Sequence, residues 1–139
     1  MSAAPRYEFL DHTGDIRIRA NGRTLAELFA NAGHGMMAYL FGDRLPCDAA
    51  AARRTRIELC APDRDALLVD WLSELLFRAE TTPCAFVDFH FERIDETALA
   101  AQASWLPAEP VEEIKAVTYN DLRIAQRDGG WRADVVYDV

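Results

Sequence analysis

Residues 122–139, LRIAQRDGGWRADVVYDV, carry the reading that decides the fold. Leu122 and Ile124 alternate with polar neighbours, and Trp131, Ala133, Val135 and Tyr137 alternate again after Asp128-Gly129-Gly130. A period of two turns one face of a strand to the core and leaves the other wet. Two such stretches joined by a Gly-rich turn predict an antiparallel hairpin. Its second strand is expected to run out on Asp138-Val139 without a tail.

Working outward, 6–10 (RYEFL) and 15–20 (DIRIRA) read as two short strands, the second alternating Ile16, Ile18 and Ala20 with Arg17 and Arg19. Asp11-His12-Thr13-Gly14 gives turn chemistry between them, and Asn21-Gly22 marks another turn. Thr24 and Glu27 fit a capping box, followed at helical spacing by Leu25, Leu28, Phe29, Ala32, Met36 and Leu40. A helix is therefore expected over about 25–40. Gly33 and Gly35 weaken it by about 1 kcal/mol each relative to Ala, unless they permit close packing. Strands are predicted at 55–59, 84–91 and 97–106, and a second helix over 64–79, capped by Asp63 with Leu68, Trp71, Leu72, Leu75, Leu76 and Ala79 on one face. Pro107 and Pro110 bound an acidic loop. The resulting fold class is α+β: two helices packed on a largely antiparallel β-sheet, one domain over 1–139, with strand order not readable.

The 139 residues are half apolar and 27% charged, an ordinary globular composition. No apolar run nears the ~20 residues that cross a bilayer, and Met1–Pro5 has no apolar signal region, so a cytoplasmic protein is expected. Cys47, Cys60 and Cys84 are odd in number and lack C-x-x-C spacing, which argues for reduced, mostly structural thiols rather than disulfides or a zinc ribbon. The net charge of −8 argues against a chain-wide grip on nucleic acid while leaving room for a local basic patch. Fourteen of the cations are Arg; the single Lys is Lys115.

Candidate chemistry falls at a few places. Asp11, His12 and Asp15 share a predicted turn, whose spacing reads first as ordinary turn capping and otherwise as a hard-cation site, since carboxylate oxygens suit Mg²⁺, Ca²⁺ or Mn²⁺. His34 and His90 read as structural histidines. Asp138 and the α-carboxylate of Val139 are either an exposed terminus or, if held in the sheet near the 11–15 turn, a convergence of anionic oxygens that a cation must neutralise. Lys115 either pairs with Glu112 or Glu113 or offers a point charge to a phosphate or a partner's carboxylate. There is no phosphate-binding loop, dinucleotide fingerprint, serine-nucleophile elbow or H-E-x-x-H motif, so no nucleotide-hydrolysing enzyme is indicated.

Three stretches together resemble the archease family: Tyr7-Glu-Phe-Leu-Asp-His-Thr-Gly-Asp-Ile16; Gly22-Arg-Thr-Leu-Ala-Glu-Leu-Phe29 with Ala32 and Gly35-Met36; and Glu113-Ile-Lys-Ala-Val-Thr-Tyr119 through Gly130-Trp131 to Tyr137-Asp138-Val139. The resemblance implies a small α+β cofactor protein of an RtcB-type RNA ligase, acting in tRNA splicing or RNA repair. Such a protein promotes guanylylation and turnover of the ligase without performing the ligation. It also implies a divalent-metal site, with Ca²⁺ foremost and Mg²⁺ or Mn²⁺ as alternatives, on Asp15, Asp138 and Val139, and a ligase-assisting role for Lys115. No strong direct nucleic-acid binding and no membrane association are expected.

The sequence departs from the family pattern in places. Gly14 stands where Ala is usual, Asn120 where a His is common, and the loop from Pro107 to Glu112 lacks basic or His residues. The last two put in doubt any role of that His or any ligase or RNA contact through that loop. Two other functional classes compete with the cofactor reading. One is a small metal-dependent hydrolase using His12 with Asp15, and the other is a general chaperone or RNA-binding module.

Overall fold

The computed structural model describes residues 4–10 and 14–139, Ala49 by its backbone alone. Eight strands and two helices follow in the order β1 (Tyr7–Leu10), β2 (Ile16–Gly22), α1 (Leu25–Phe41), β3 (Arg53–Cys60), α2 (Arg64–Thr81), β4 (Cys84–Ile94), β5 (Ala98–Pro107), β6 (Ala116–Val117), β7 (Arg123–Arg127) and β8 (Gly130–Asp138). Every ladder is antiparallel. The strands form two sheets rather than one: β1-β2-β8-β6, with β7 also on β8, and β3-β5-β4.

The helices lie between the sheets. α1 packs on β1, β2 and β8 on one side and on β4 on the other, while α2 packs on α1, β3 and β4 and touches β6 and β7. Both helices begin as their sequences require. Thr24 accepts the Glu27 amide at 3.1 Å, and Asp63 accepts the Ala66 amide at 2.8 Å, each satisfying a donor that the helix itself leaves unpaired. The Trp71 indole of α2 donates to the Phe29 carbonyl of α1 at 3.0 Å, so the largest core side chain also pins helix to helix.

Gly33 and Gly35 are packing devices. A Cβ at Gly33 would lie 2.9 Å from the Phe89 ring, and one at Gly35 would lie 2.9 Å from Ile18 Cγ2. Their hydrogen side chains let both sheets approach α1. The acidic loop has a structural task as well: the amides of Val111 and Glu112 donate to the Leu40 carbonyl at 2.7 and 3.1 Å, closing the C-terminal end of α1, and Ile114 is buried just beyond.

Some expectations need correction. Asn21 and Gly22 continue β2 rather than turning. Asn21 is buried, and a Cβ at Gly22 would sit 2.4 Å from the Leu28 amide nitrogen, so glycine here serves a close crossing of strand and helix. His90 lies on the exposed face of β4, opposite Gln102, and is not a core histidine. Of the three cysteines only Cys84 is buried; Cys47 and Cys60 are exposed and free.

Candidate functional site

The β2–β8 ladder fixes one end of the larger sheet. Its outermost rung pairs Ile16 with Tyr137, so Asp15 and Asp138 follow on the next positions of adjacent strands. On the other side of β8, Ala116 pairs with Asp138 and Val117 with Tyr137. The Lys115 amide then donates to the Asp138 carbonyl at 2.7 Å, extending that pairing by one bond. Asp138 thus sits on the middle strand, with Asp15 on one flank and Lys115 on the other. Asp138 and Lys115 are exposed, Asp15 is half-buried, and Val139 is half-buried with its side chain against the core.

The reason is local. Tyr137 is fully buried, and its hydroxyl is held neutral by desolvation, with a pKa pushed far above the ordinary tyrosine value. That anchor fixes β8 to its last residues, and the strand period then turns Asp138 outward. On the 113–119 segment, Ile114 is the buried anchor. Thr118 donates both its amide, at 3.1 Å, and its hydroxyl, at 2.9 Å, to the Val136 carbonyl. Arg17 reaches from β2 to Asp121 at 3.0 Å and ties the following bend to the same face. In the sequence Thr118 enters only as part of the Glu113–Tyr119 stretch, and nothing there singles out Asp121.

Among the described residues this end carries two carboxylate side chains, Asp15 and Asp138. Carboxylate oxygens of this kind suit a hard divalent cation. Among the described residues no group of three or more His, Cys, Asp or Glu side chains gathers to bind a metal.

A sequence model of the archease protein family matches residues 7–139. The chain belongs to the archease family. A protein archease of Methanosarcina barkeri is 42% identical over 147 aligned positions, spanning 99% of each chain, and that of Methanosarcina mazei is 39% identical over the same span. The solution structure of Methanobacterium thermoautotrophicum protein 1598 is 29% identical, covers 96% of this chain and 99% of its own, and superposes with a TM-score of 0.70. A Thermotoga maritima crystal structure, of an archease described as a possible chaperone, matches at 17% identity, TM-score 0.64, over 100% of this chain and 98% of that one. At that identity it supports the fold alone.

In this archease the structure brings Asp15, Asp138, Val139 and Lys115 to one sheet end. Among the described residues Lys115 forms no ion pair with Glu112 or Glu113. Asp11 and His12 lie outside the described residues, and His12 with Asp15 carried the hydrolase reading. His34 is elsewhere, on α1 against Phe89. Among the described residues no helix is long and apolar enough to cross a membrane.

Proposed function

We propose that this archease is a non-catalytic accessory factor of an RtcB-type RNA ligase, promoting the ligase's guanylylation and multiple turnover in cytoplasmic tRNA splicing or RNA repair. Family membership supports the reading, and one observation carries it: the register of β2, β8 and β6 sets Asp15, Asp138 and Lys115 side by side at the end of one sheet. Asp15, Asp138 and the α-carboxylate of Val139 would hold the divalent cation, Ca²⁺ foremost. Bound there, the cation would supply concentrated positive charge and further positions for oxygen donors.

The chain's own residues set what this end can do. The carboxylates repel one another, so the sheet end is poised to accept positive charge. Pairing with Asp138 fixes the backbone of Lys115. Its exposed ammonium is thereby offered outward as a point charge, able to meet phosphate oxygens of the ligase's nucleotide or a carboxylate of the ligase. Exposure suits docking against a partner's active site better than turnover within this chain.

The test is multiple-turnover RNA ligation by the cognate ligase with substoichiometric amounts of this protein. Acceleration by the wild type, with loss in Asp15→Ala, Asp138→Ala and Lys115→Ala, is the expected result. Wild-type rates of guanylylation with both Asp variants would end the proposal.

A further inference from the structure

Opposite the candidate metal end, the same sheet closes on a cleft of about 1170 Å³. The β2–β8 ladder runs from Ile16–Tyr137 to Gly22–Trp131, so the two ends lie about 20 Å apart at strand rise. The cleft is lined by Arg6, Arg23, Arg127 and Arg132, against two carboxylates, Glu27 and Asp128. In a chain of net charge −8 this is a local reversal of sign. Arg17, Arg19, Arg56, Arg64 and Arg78 each sit against a carboxylate. Among the described residues none of the four cleft arginines forms such an ion pair, although Arg132 acts on Asp134 through space.

Two of these guanidiniums are held in place from behind. Arg6 Nε donates to Asn31 Oδ1 at 3.1 Å, and Arg132 Nε donates to Asn21 Oδ1 at 3.2 Å. Both asparagines are more than nine-tenths buried, and the Asn31 amide donates to the Asn21 carbonyl at 2.7 Å while the Asn21 amide donates to the Pro5 carbonyl at 2.9 Å. Two buried polar side chains with every hydrogen-bonding atom used are costly to install, and here they orient two arginines through Nε. The floor is tight backbone: a Cβ at Gly130 would come within 2.7 Å of the Gly22 carbonyl. Half-buried Trp131 also lines the cleft, with the Arg64 guanidinium over its ring at 4.7 Å from the centroid.

We propose that this cleft binds the phosphates of a nucleotide chain or a free nucleotide, with the four arginines on phosphate oxygens and Trp131 against a base or sugar. Guanidinium forks match phosphate geometry. The cleft exceeds the ~300–1,000 Å³ usual for a small ligand, which favours an extended polyanion over a lone ion. A groove in which arginines outnumber carboxylates, with an aromatic ring at its edge, is recognition chemistry that suits a single strand. The inference stands apart from the ligase reading.

The experiment uses the full chain in chelator, without any ligase, and so fails or succeeds independently of the metal end. A labelled short oligoribonucleotide without terminal phosphates and, separately, ribonucleoside triphosphates are titrated in rising salt. The expected result is binding of at least one probe. The double variant Arg23→Glu/Arg127→Glu should lower affinity about tenfold or more and flatten the oligonucleotide's logarithmic salt dependence by about 1.4, for two lost phosphate contacts. Arg123→Glu, an exposed arginine outside the cleft, should bind as the wild type does. Binding of the oligonucleotide identifies a strand as the source of the phosphates, and binding of triphosphates alone identifies free nucleotide. Thermal unfolding of the double variant should match the wild type. No binding of either probe at low salt, or equal losses in the cleft and Arg123 variants, would overturn the proposal.

Discussion

Acidification should destabilise this protein through His34. The His34 ring packs edge-on to Phe89 at 5.0 Å between centroids. Burial pushes its pKa down to about 4; Arg6 adds to the shift and Asp88 opposes it. Between the ordinary value of 6.5 and about 4, the unfolded chain takes up a proton that the folded chain refuses. Stability due to the neutral imidazole is therefore complete above 6.5 and is lost progressively as pH falls to the folded value. A shift of about 2.5 units at roughly 1.36 kcal/mol per unit sets the total loss near 3 kcal/mol, most of it reached by about pH 4.5. Urea unfolding of the wild type and of His34→Leu at about pH 7 and about pH 4.5 isolates this contribution from the other titrating groups. The wild type should lose about 2–3 kcal/mol more than the variant across that interval. Parallel losses in the two proteins, or a His34 titration midpoint near 6.5 by nuclear magnetic resonance, would refute the reasoning.

Other outcomes follow from the same packing. Gly35→Ala places a Cβ 2.9 Å from Ile18 Cγ2 and 3.2 Å from Tyr7 Cβ. An overpacking cost of about 1–3 kcal/mol against a helix gain of about 1 kcal/mol leaves a net loss in thermal unfolding, and a stabilised variant would contradict the close-packing account. Arg19 donates Nε and Nη2 to the Asp134 carboxylate at 2.8 and 3.1 Å, holding that carboxyl below its usual range. The pair contributes above the ordinary carboxylate pKa and is lost as pH falls through the depressed folded value. Asp134→Asn should therefore cost about 0.5–1 kcal/mol at neutral pH after solvent screening, and the difference from wild type should vanish in strong acid.

Much of the architecture was legible because local chemistry and tertiary packing agree. The alternation from Trp131 to Tyr137, the caps at Thr24 and Asp63, and the apolar face of α2 all appear where the sequence put them. The second sheet was not legible, since alternation identifies a strand but not its partners, and β3 and β4 meet only across β5. Asn21-Gly22 carries turn residues yet extends a strand, because its backbone pairs with Arg132 and Trp131 of β8 and the Asn31 amide donates to the Asn21 carbonyl. At the candidate metal end, spacing alone left Asp15 and Asp138 as ordinary polar residues. Only the ladder places residues more than a hundred positions apart on neighbouring strands. The arginine cleft was invisible for the same reason: its cations come from β8, the last residue of β7 and segments near positions 6 and 23.

The most direct measurement is calorimetric titration of Ca²⁺ into chelator-treated protein, wild type beside Asp15→Asn and Asp138→Asn. Sharing of a cation by strands β2 and β8 requires one ion per wild-type chain and severe weakening in either variant. Absence of binding in the wild type, or undiminished binding in both variants, would contradict it.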